Sequence, residues 1–312
     1  ALSTMCMAAD SDGLTIKKTD GKVRVEIGGQ LFTEYCYQNV PRPYFYPVIG
    51  PTGDCMVRRW PIEDVNKDES RDHVHHKSLW FTHGDVNGID FWGEKEGHGT
   101  IVHDKFLEVS SKNNEGVIRS TNKWLAPDGH IVCTDTRTHR FYNRPEGRFI
   151  DFEIVIHASN GQVVFGDTKE GSMAIRLAPT LRLKGKVGQG HIINSAGDTD
   201  DNTWGKRAAW CDYYGPINGH TVGVAIFDSP SDPRYPTWWH VRNYGLFAAN
   251  PFGVHYFEGK PEGTGAITVP AGDDLTLKYR FFFHKGDTEQ ANVAKEYADY
   301  LNQIEKNRKK QK

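Results

Sequence analysis

The sequence predicts an all-β protein, an antiparallel β-sandwich followed by one C-terminal helix. Short segments in which apolar and polar residues alternate recur along most of the 312 residues, and this pattern is typical of strands with one buried face. Turn signals separate the segments, and the chain contains 32 glycines. Strands do not alternate with helices, which excludes a Rossmann sheet and a TIM barrel.

The first predicted element is a hairpin. Residues 14–18 and 23–27 alternate in polarity, and the Asp20-Gly21 pair between them is a turn signal. Residues 40–54 contain four prolines and predict a stiff extended connection rather than a helix. Residues 185–204 are rich in Gly, Asn and Asp and predict a long loop. The other predicted strands are residues 31–37, 100–110, 116–124, 130–142, 149–158, 162–165, 172–177, 221–228, 238–243 and 275–284.

Residues 148–157 give the clearest strand pattern. Because side chains alternate across a strand, one face carries polar and mixed residues and the other carries only apolar ones. The mixed face holds Phe149, Asp151, Glu153, Val155 and His157, and the apolar face holds Ile150, Phe152, Ile154 and Ile156.

Residues 288–312 differ in kind from the rest. Thr288, Glu289 and Gln290 predict a cap for a helix that runs to about residue 306, and an apolar stripe is formed by Ala291, Ala294, Tyr297, Ala298 and Leu301. The predicted organisation is therefore a flexible N-terminus or signal-peptide remnant (1–13), a single β-sandwich domain (14–287), and a helix with a basic tail (288–312).

Composition excludes two classes of partner. The formal net charge is −2, so the basic field that nucleic acid requires is absent. No apolar run approaches the length of a membrane-spanning helix, so membrane insertion is not expected.

The five cysteines form no CxxC pair, which gives a zinc ribbon or a thioredoxin-like motif no support. If one disulfide forms, Cys36–Cys55 is the candidate pair. The apolar, small residues at the start of the chain predict either the end of a signal peptide or an ordinary flexible terminus.

A histidine-rich stretch, residues 72–92, is the main candidate for chemistry. It contains His73, His75, His76 and His83 together with Trp80. Imidazole titrates near neutrality, which suits proton transfer and metal ligation. On a strand, His73 and His75 would point to one side, so a divalent metal site with His83, Glu170 or Asp167 as third ligand is the minority hypothesis. A structural role for these histidines is the other alternative.

A carboxylate between glycines is the second candidate. Glu170 precedes Gly171 at the start of a predicted strand and is the preferred general acid or base. In the alternative interpretation, Asp167 and Glu170 only cap backbone N–H groups of a polar turn.

Arginine and aromatic side chains supply candidate binding residues. Arg58 and Arg59 offer planar forks for carboxylates or vicinal hydroxyls, and the alternative is ion pairing with Glu63, Asp64 or Glu69. On a predicted strand, Trp238, His240 and Arg242 alternate onto one face as a ligand wall. Trp210 is a weaker candidate of the same kind.

The chain resembles an uncharacterised bacterial family labelled "methane oxygenase PmoA-like". The resemblance is carried by residues 43–48, 58–61, 72–80, 169–171 and 239–253, and it extends over most of residues 14–287. More loosely, the layout is similar to the galactose mutarotase-like supersandwich, whose aldose epimerases use a histidine acid and a glutamate base. The resemblance implies a periplasmic or secreted setting, as in polysaccharide-degrading bacteria.

Together these patterns predict a carbohydrate-active enzyme, a hydrolase, lyase or epimerase, whose partner is a saccharide or glycoside. No cofactor is predicted, and the alternatives are a non-catalytic carbohydrate-binding protein and a metal-dependent oxidoreductase. The predicted catalytic residues are His75, His76, Glu170 and His240. The predicted substrate-binding residues are Arg58, Arg59, His73, Trp80, His83, Asp167, Trp210, Trp238 and Arg242.

Overall fold

The computed structural model describes residues 13–112 and 114–310. Within these residues there are two α-helices, α1 (Val254–Glu258) and α2 (Val293–Lys310), with short 3-10 turns at Pro179–Leu181 and Asp200–Thr203. The strands are β1 (Leu14–Thr19), β2 (Lys22–Ile27), β3 (Gln30–Cys36), β4 (Tyr44–Val48), β5 (Leu79–His83), β6 (Thr100–Lys112), β7 (Glu115–Leu125), β8 (Ile131–Arg144), β9 (Gly147–His157), β10 (Val163–Phe165), β11 (Gly171–Arg176), β12 (His191–Asn194), β13 (Trp210–Ile217), β14 (His220–Asp228), β15 (Trp238–Val241), β16 (Leu246–Asn250), β17 (Ile267–Val269) and β18 (Asp274–Lys285).

Two eight-stranded sheets form the sandwich. The first sheet has the order β1-β2-β3-β4-β5-β11-β16-β15, and the second has the order β12-β13-β14-β18-β9-β8-β7-β6. The strand pairs in both sheets are antiparallel. Aromatic rings join the two layers, for example Phe32 with Phe283 and Phe81 with Trp124. The predicted fold class, an antiparallel β-sandwich with a C-terminal helix, is confirmed.

The strands with the strongest alternation form as predicted. β1 and β2 make the expected hairpin, with Thr19 opposite Lys22. In β9 the apolar face is fully buried at Ile150, Ile154 and Ile156, while Glu153 on the other face is half-buried. The reason is that the apolar face packs into the core between the sheets.

Several elements depart from the sequence prediction. The predicted loop 185–204 contains β12 and a 3-10 turn, and the connection 40–54 contains β4. β13, β16 and β17 were not predicted. β16, with the sequence Leu-Phe-Ala-Ala-Asn, is buried at every position. A strand that is covered on both faces does not alternate in polarity, so its pattern does not distinguish it from other apolar segments.

The C-terminal helix lies against the second sheet, but on a different stripe from the predicted one. α2 begins at Val293, later than predicted, and Ala294 and Ala298 are exposed. The buried contacts are made by Val293, Tyr297 and Tyr300 against Phe227 and its neighbours. Large side chains bury more apolar area than alanine does, so they decide which face of the helix docks.

Cys36, Cys55, Cys133 and Cys211 are all free thiols, so the Cys36–Cys55 disulfide prediction is wrong. Cys6 and the predicted signal remnant lie outside the described residues. Within residues 13–112 and 114–310, no helix is long and apolar enough to cross a membrane.

We expect Tyr300→Ala to lower the free energy of unfolding by about 3–5 kcal/mol, because it removes a buried ring from the contact between α2 and the second sheet. Tyr300 is 5% exposed and packs 6.0 Å from the Phe227 ring. Urea unfolding followed by tryptophan fluorescence measures the change. Ala298→Gln, on the exposed face of the same helix, is the control and should stay within about 0.5 kcal/mol. Equal midpoints for the two variants would contradict this account of the docking.

Candidate functional site

The floor of the candidate site is a row of four side chains on the outer face of the first sheet. Trp80 pairs with Ala174, Ala174 with Ala248, and Ala248 with His240, across β5, β11, β16 and β15. Their neighbours along the strands, such as Phe81, point to the second sheet instead. Two alanines therefore separate an indole from an imidazole, and the surrounding loops cover all four residues.

Residues 70–77 form a loop over this floor, and the predicted strand at His73–His76 is wrong. The segment turns, with His76 N–H donating to the carbonyl of His73 at 3.0 Å, and His73 has a φ of 46°. The physical cause is Arg58, whose buried guanidinium donates to the carbonyls of Ser70, Asp72, His73 and His76. Carbonyls that converge on one cation cannot also form a strand ladder.

The Asp72 carboxylate lies between two buried guanidiniums. Its Oδ1 accepts hydrogen bonds from Arg58 at 2.8 Å and from Arg176 at 2.9 Å. Burial alone would raise the pKa of Asp72, but the hydrogen bond from His73 and the charge of Arg176 outweigh it and hold the pKa well below its usual range. Asp72 is therefore ionised at neutral pH and is held in one position.

His73 is the exposed imidazole of the cluster. Its Nδ1 lies 3.2 Å from Asp72 Oδ2, and 40% of its side chain is exposed. The ring stacks between His76 at 4.7 Å and Tyr244 at 5.4 Å. Within the described residues Nε2 makes no hydrogen bond, so this nitrogen is open to a ligand.

His76 and His75 lie behind His73. His76 is 1% exposed, and its Nδ1 accepts a hydrogen bond from Arg176 at 3.0 Å. Burial and then the charge of Arg176 lower the pKa of His76 well below its usual value, so the ring is neutral with its proton on Nε2. Burial, followed by the charge of Arg42, lowers the pKa of His75 to about 4. These predicted catalytic residues are less accessible than His73.

The backbone of Glu170 fixes this residue at the edge of the candidate site. Its side chain is 37% exposed and its carboxylate contacts Lys169 Nζ at 2.7 Å. A methyl group on Gly84 would lie 2.8 Å from Glu170 Cβ, so the small residue lets the two loops approach. Asp167 instead accepts hydrogen bonds from the backbone N–H groups of His255 and Gly265, which is the capping role stated as the alternative above.

Arg242 and His240 complete the site from β15 and the turn that follows it. The Arg242 guanidinium lies over the rings of Trp204 at 5.5 Å and Tyr244 at 5.6 Å. His240 Nδ1 accepts a hydrogen bond from Trp204 Nε1 at 3.2 Å. Burial, then the charges of Arg242 and Lys169, lower the pKa of His240 to about 3. His240 is thus a neutral, buried part of the wall.

Four predicted site residues lie outside this cluster or make other contacts. Arg59 is exposed and pairs with Glu63 at 3.8 Å, which is the alternative stated above. Trp210 belongs to β13 of the second sheet and packs under α2. His83 is in the core, with Nε2 donating to the carbonyl of Gly166 at 2.8 Å. Trp238 shares the face of His240, but its indole N–H donates to Glu258.

Among the described residues, no third ligand joins His73 and His75 at a metal site. The His73 and His75 rings lie 5.7 Å apart at an interplanar angle of 74°. In the part of the chain that the structure describes, no group of three or more His, Cys, Asp or Glu side chains is arranged to hold a metal ion.

Arg176, Tyr244 and Trp204 contribute to the site without having been predicted. Arg176 had a usable signal, since it is a cation at the end of β11, directly after the apolar residues Met173, Ala174 and Ile175, and a buried arginine needs a partner. Tyr244 follows Arg242 by two residues and had no signal of its own. Trp204 lies in the segment that predicted only a loop.

The fold and these contacts define a β-sandwich with a polar, aromatic-lined candidate site on the outer face of one sheet. The chain belongs to the DUF6807 family, described as a family of unknown function, whose sequence model matches residues 22–298. No curated protein matches the chain by sequence. Since the family description names no activity, the PmoA-like resemblance stays a prediction.

Three solved structures show partial similarity. The Slr1438 protein of Synechocystis sp. PCC 6803 has 7% identity, a TM-score of 0.35, and coverage of 91% of this chain and 100% of that chain. A galactose mutarotase-like protein of Lactobacillus casei ATCC 334 has 12% identity, a TM-score of 0.33, and coverage of 87% and 100%. The 4-alpha-glucanotransferase of Thermococcus litoralis has 11% identity, a TM-score of 0.26, and coverage of 88% and 38%. The fold class rests on the two antiparallel sheets themselves.

We expect stability to fall with acidity, partly through His83. Burial lowers the pKa of His83 to about 4. Between pH about 6.5 and 4 the unfolded chain therefore binds a proton that the folded chain does not, and stability is lost as pH falls, by about 1.4 kcal/mol per pH unit for this one group. His83→Gln should flatten the slope of unfolding free energy against pH by about one proton. Urea titrations at several pH values measure it.

The control for this prediction is His130→Gln, because His130 is exposed and its ring contacts only Asp128. This variant should keep the wild-type slope. A His83→Gln slope that equals the wild-type slope between pH 4 and 6.5 would show that His83 is protonated in the folded state.

Proposed function

We propose that the protein is a carbohydrate-active enzyme that acts on a sugar or glycoside by acid–base chemistry, with His73 and Glu170 as the reacting groups. The observation that carries this proposal is the Asp72–His73 contact of 3.2 Å. An exposed imidazole is oriented there by a carboxylate that two buried guanidiniums hold in place. His73 replaces His75, His76 and His240 as the proposed imidazole because those three are less accessible.

The tautomer of His73 follows from its partner. Asp72 is ionised, so it accepts a hydrogen bond from Nδ1–H, and the lone pair of the neutral ring is on Nε2. Nε2 can then take a proton from a sugar hydroxyl or from water. The imidazolium that results is stabilised by Asp72 and can return the proton to a ring or glycosidic oxygen.

Glu170 supplies the second group. General acid–base reactions at a sugar need one group that gives a proton and one that takes it, and the two exchange roles when the reaction is reversed. Burial raises the pKa of Tyr244, the charges of Arg176 and Arg242 lower it, and the negative charges of Glu170 and Asp72 raise it. The ring on which His73 stacks is therefore influenced by the charge of both carboxylates.

Aromatic faces nearby suit a saccharide. Trp204 packs edge-on to Phe257 at 5.7 Å, and Phe257 lies 6.2 Å from the His240 ring. A pyranose has apolar C–H faces and hydroxyl edges, so flat apolar rings next to hydrogen-bonding groups are complementary to it.

The proposal also covers the reaction chemistry and the cellular setting that the sequence resemblance implies. A histidine acid with a glutamate base is the chemistry of galactose mutarotase-like epimerases, and the setting proposed is periplasmic or secreted. The acid–base chemistry is supported by the sequence resemblance together with the contacts of His73 and Glu170, and the setting is supported by the sequence resemblance alone.

The test is a panel of aldoses, glycosides and uronides incubated with the purified protein and followed by proton NMR for anomer exchange, cleavage or elimination. We expect one class to react. On that substrate, Glu170→Gln and His73→Asn should each lower kcat by about 100-fold or more, since each removes a proton-transfer group. Circular dichroism and the melting temperature show that each variant is folded.

Matched controls exist for both variants. Asp128 and His130 form an exposed pair at 2.6 Å, and Glu305 has a lysine, Lys309, at 2.7 Å. His130→Asn and Glu305→Gln should keep full activity. Unchanged turnover in folded Glu170→Gln and His73→Asn would contradict the assignment of these two residues as reacting groups. Binding of a saccharide with no product in any assay would favour the non-catalytic alternative.

A further inference from the structure

Arg242 is a cation at the site that lacks a carboxylate partner. Its guanidinium is half-buried between the Trp204 and Tyr244 rings. In the described part of the chain it forms no ion pair and donates no side-chain hydrogen bond. The charge of Arg242 contributes to the lowered pKa of Asp201, but that carboxylate is occupied by Lys184 and by the Asn243 amide.

Within the described residues, the ion pairs around the site do not include Arg242. Arg58 and Arg176 share the single carboxylate of Asp72. Lys169 is matched by Glu170. Arg58 also has the buried Glu69 carboxylate near it, whose charge raises the pKa of Arg58. Arg242 is therefore the arginine of this cluster that forms no ion pair within the described residues. An anionic ligand would balance this charge.

The position of Arg242 relates it to the proposed reacting groups. Arg242 and His73 both contact the Tyr244 ring, at 5.6 Å and 5.4 Å respectively. The charge of Arg242 also contributes to the low pKa of His240. A sugar that contacts His73 would therefore place a neighbouring substituent of its ring close to the Arg242 guanidinium.

We propose that the saccharide bound at this site is a sugar acid and that Arg242 binds its carboxylate. The inference rests on the proposed function, because it takes the ligand to be a saccharide. A planar guanidinium matches the two oxygens of a carboxylate. The Trp204 and Tyr244 rings on either side restrict rotation of the guanidinium and exclude water from it, and both effects strengthen its ion pair with a carboxylate. One uncompensated cation suits the single charge of a carboxylate better than the nearly double charge of a phosphate ester.

The experiment compares matched neutral and acidic sugars. Glucose and glucuronate, galactose and galacturonate, and glucose 6-phosphate are titrated into the full-length protein by isothermal calorimetry and tryptophan fluorescence. We expect one uronate to bind at least about tenfold more tightly than its neutral partner, an effect that charge-assisted pairing can supply. The preference should weaken as salt concentration rises.

Variants assign the preference to one residue. Arg242→Gln should bring the uronate and its neutral partner to about equal affinity, and Arg242→Lys should keep only part of the preference because a lysine has the charge without the fork. Arg144 is the matched control, since it also lies over two rings, Tyr142 at 5.0 Å and Phe149 at 5.3 Å, on the second sheet. Arg144→Gln should leave the preference unchanged. Melting temperatures check folding, and Arg242→Lys serves as the test if Arg242→Gln is unfolded.

Each contrary result has its own meaning. Equal binding of uronates and neutral sugars overturns the sugar-acid proposal but leaves the proposed function standing. Absence of binding to any sugar overturns both. An acid preference that survives in folded Arg242→Gln overturns the role of Arg242. Tighter binding of glucose 6-phosphate than of glucuronate overturns the choice of a carboxylate.

Discussion

The arrangement of this molecule at its candidate site depends on one buried charge cluster, in which Arg58 and Arg176 close on Asp72. The two guanidiniums are 2% and 0% exposed. Burial, followed by the charge of Arg176, lowers the pKa of Arg58 to about 9, which leaves it cationic at neutral pH. Charges in such a place are costly unless every hydrogen-bonding group is matched. Arg58 matches its two terminal nitrogens with loop carbonyls and with Asp72, while its Nε has no partner within the described residues, and the loop conformation is the consequence.

That conformation determines which imidazole reaches the surface. With its carbonyls held by Arg58, the loop turns at His73 and places His76 underneath it, stacked at 4.7 Å. The same Asp72 carboxylate that joins the arginines then orients the His73 ring. A rigid sheet below, with Ala174 and Ala248 in its middle, leaves space for this stack of rings. The site therefore couples a stable sandwich to a loop that is ordered by electrostatics rather than by strand pairing.

How much of the structure could be predicted depends on the kind of sequence pattern involved. β9 was predicted face by face, because an apolar residue at every second position has few other interpretations. The histidine stretch was located correctly as a polar feature, but its strand geometry was wrong, since nothing near in sequence reveals that Arg58 will hold its carbonyls. Trp210 was a weaker candidate for the ligand wall, but it lies on β13 of the other sheet, because local pattern does not contain sheet order.

The sequence by itself determined the all-β class, the hairpin of β1 and β2, the C-terminal helix and the segments that carry titratable side chains. These follow from local periodicity and turn chemistry, which act over a few residues. Only the tertiary structure decided that Arg176, Asp72, His73 and Tyr244 meet, that His83 is a core residue, and that Arg242 has no carboxylate partner among residues 13–112 and 114–310. Contacts between residues about a hundred positions apart, such as Arg176 with Asp72, depend on sheet order and on burial, which local pattern does not contain.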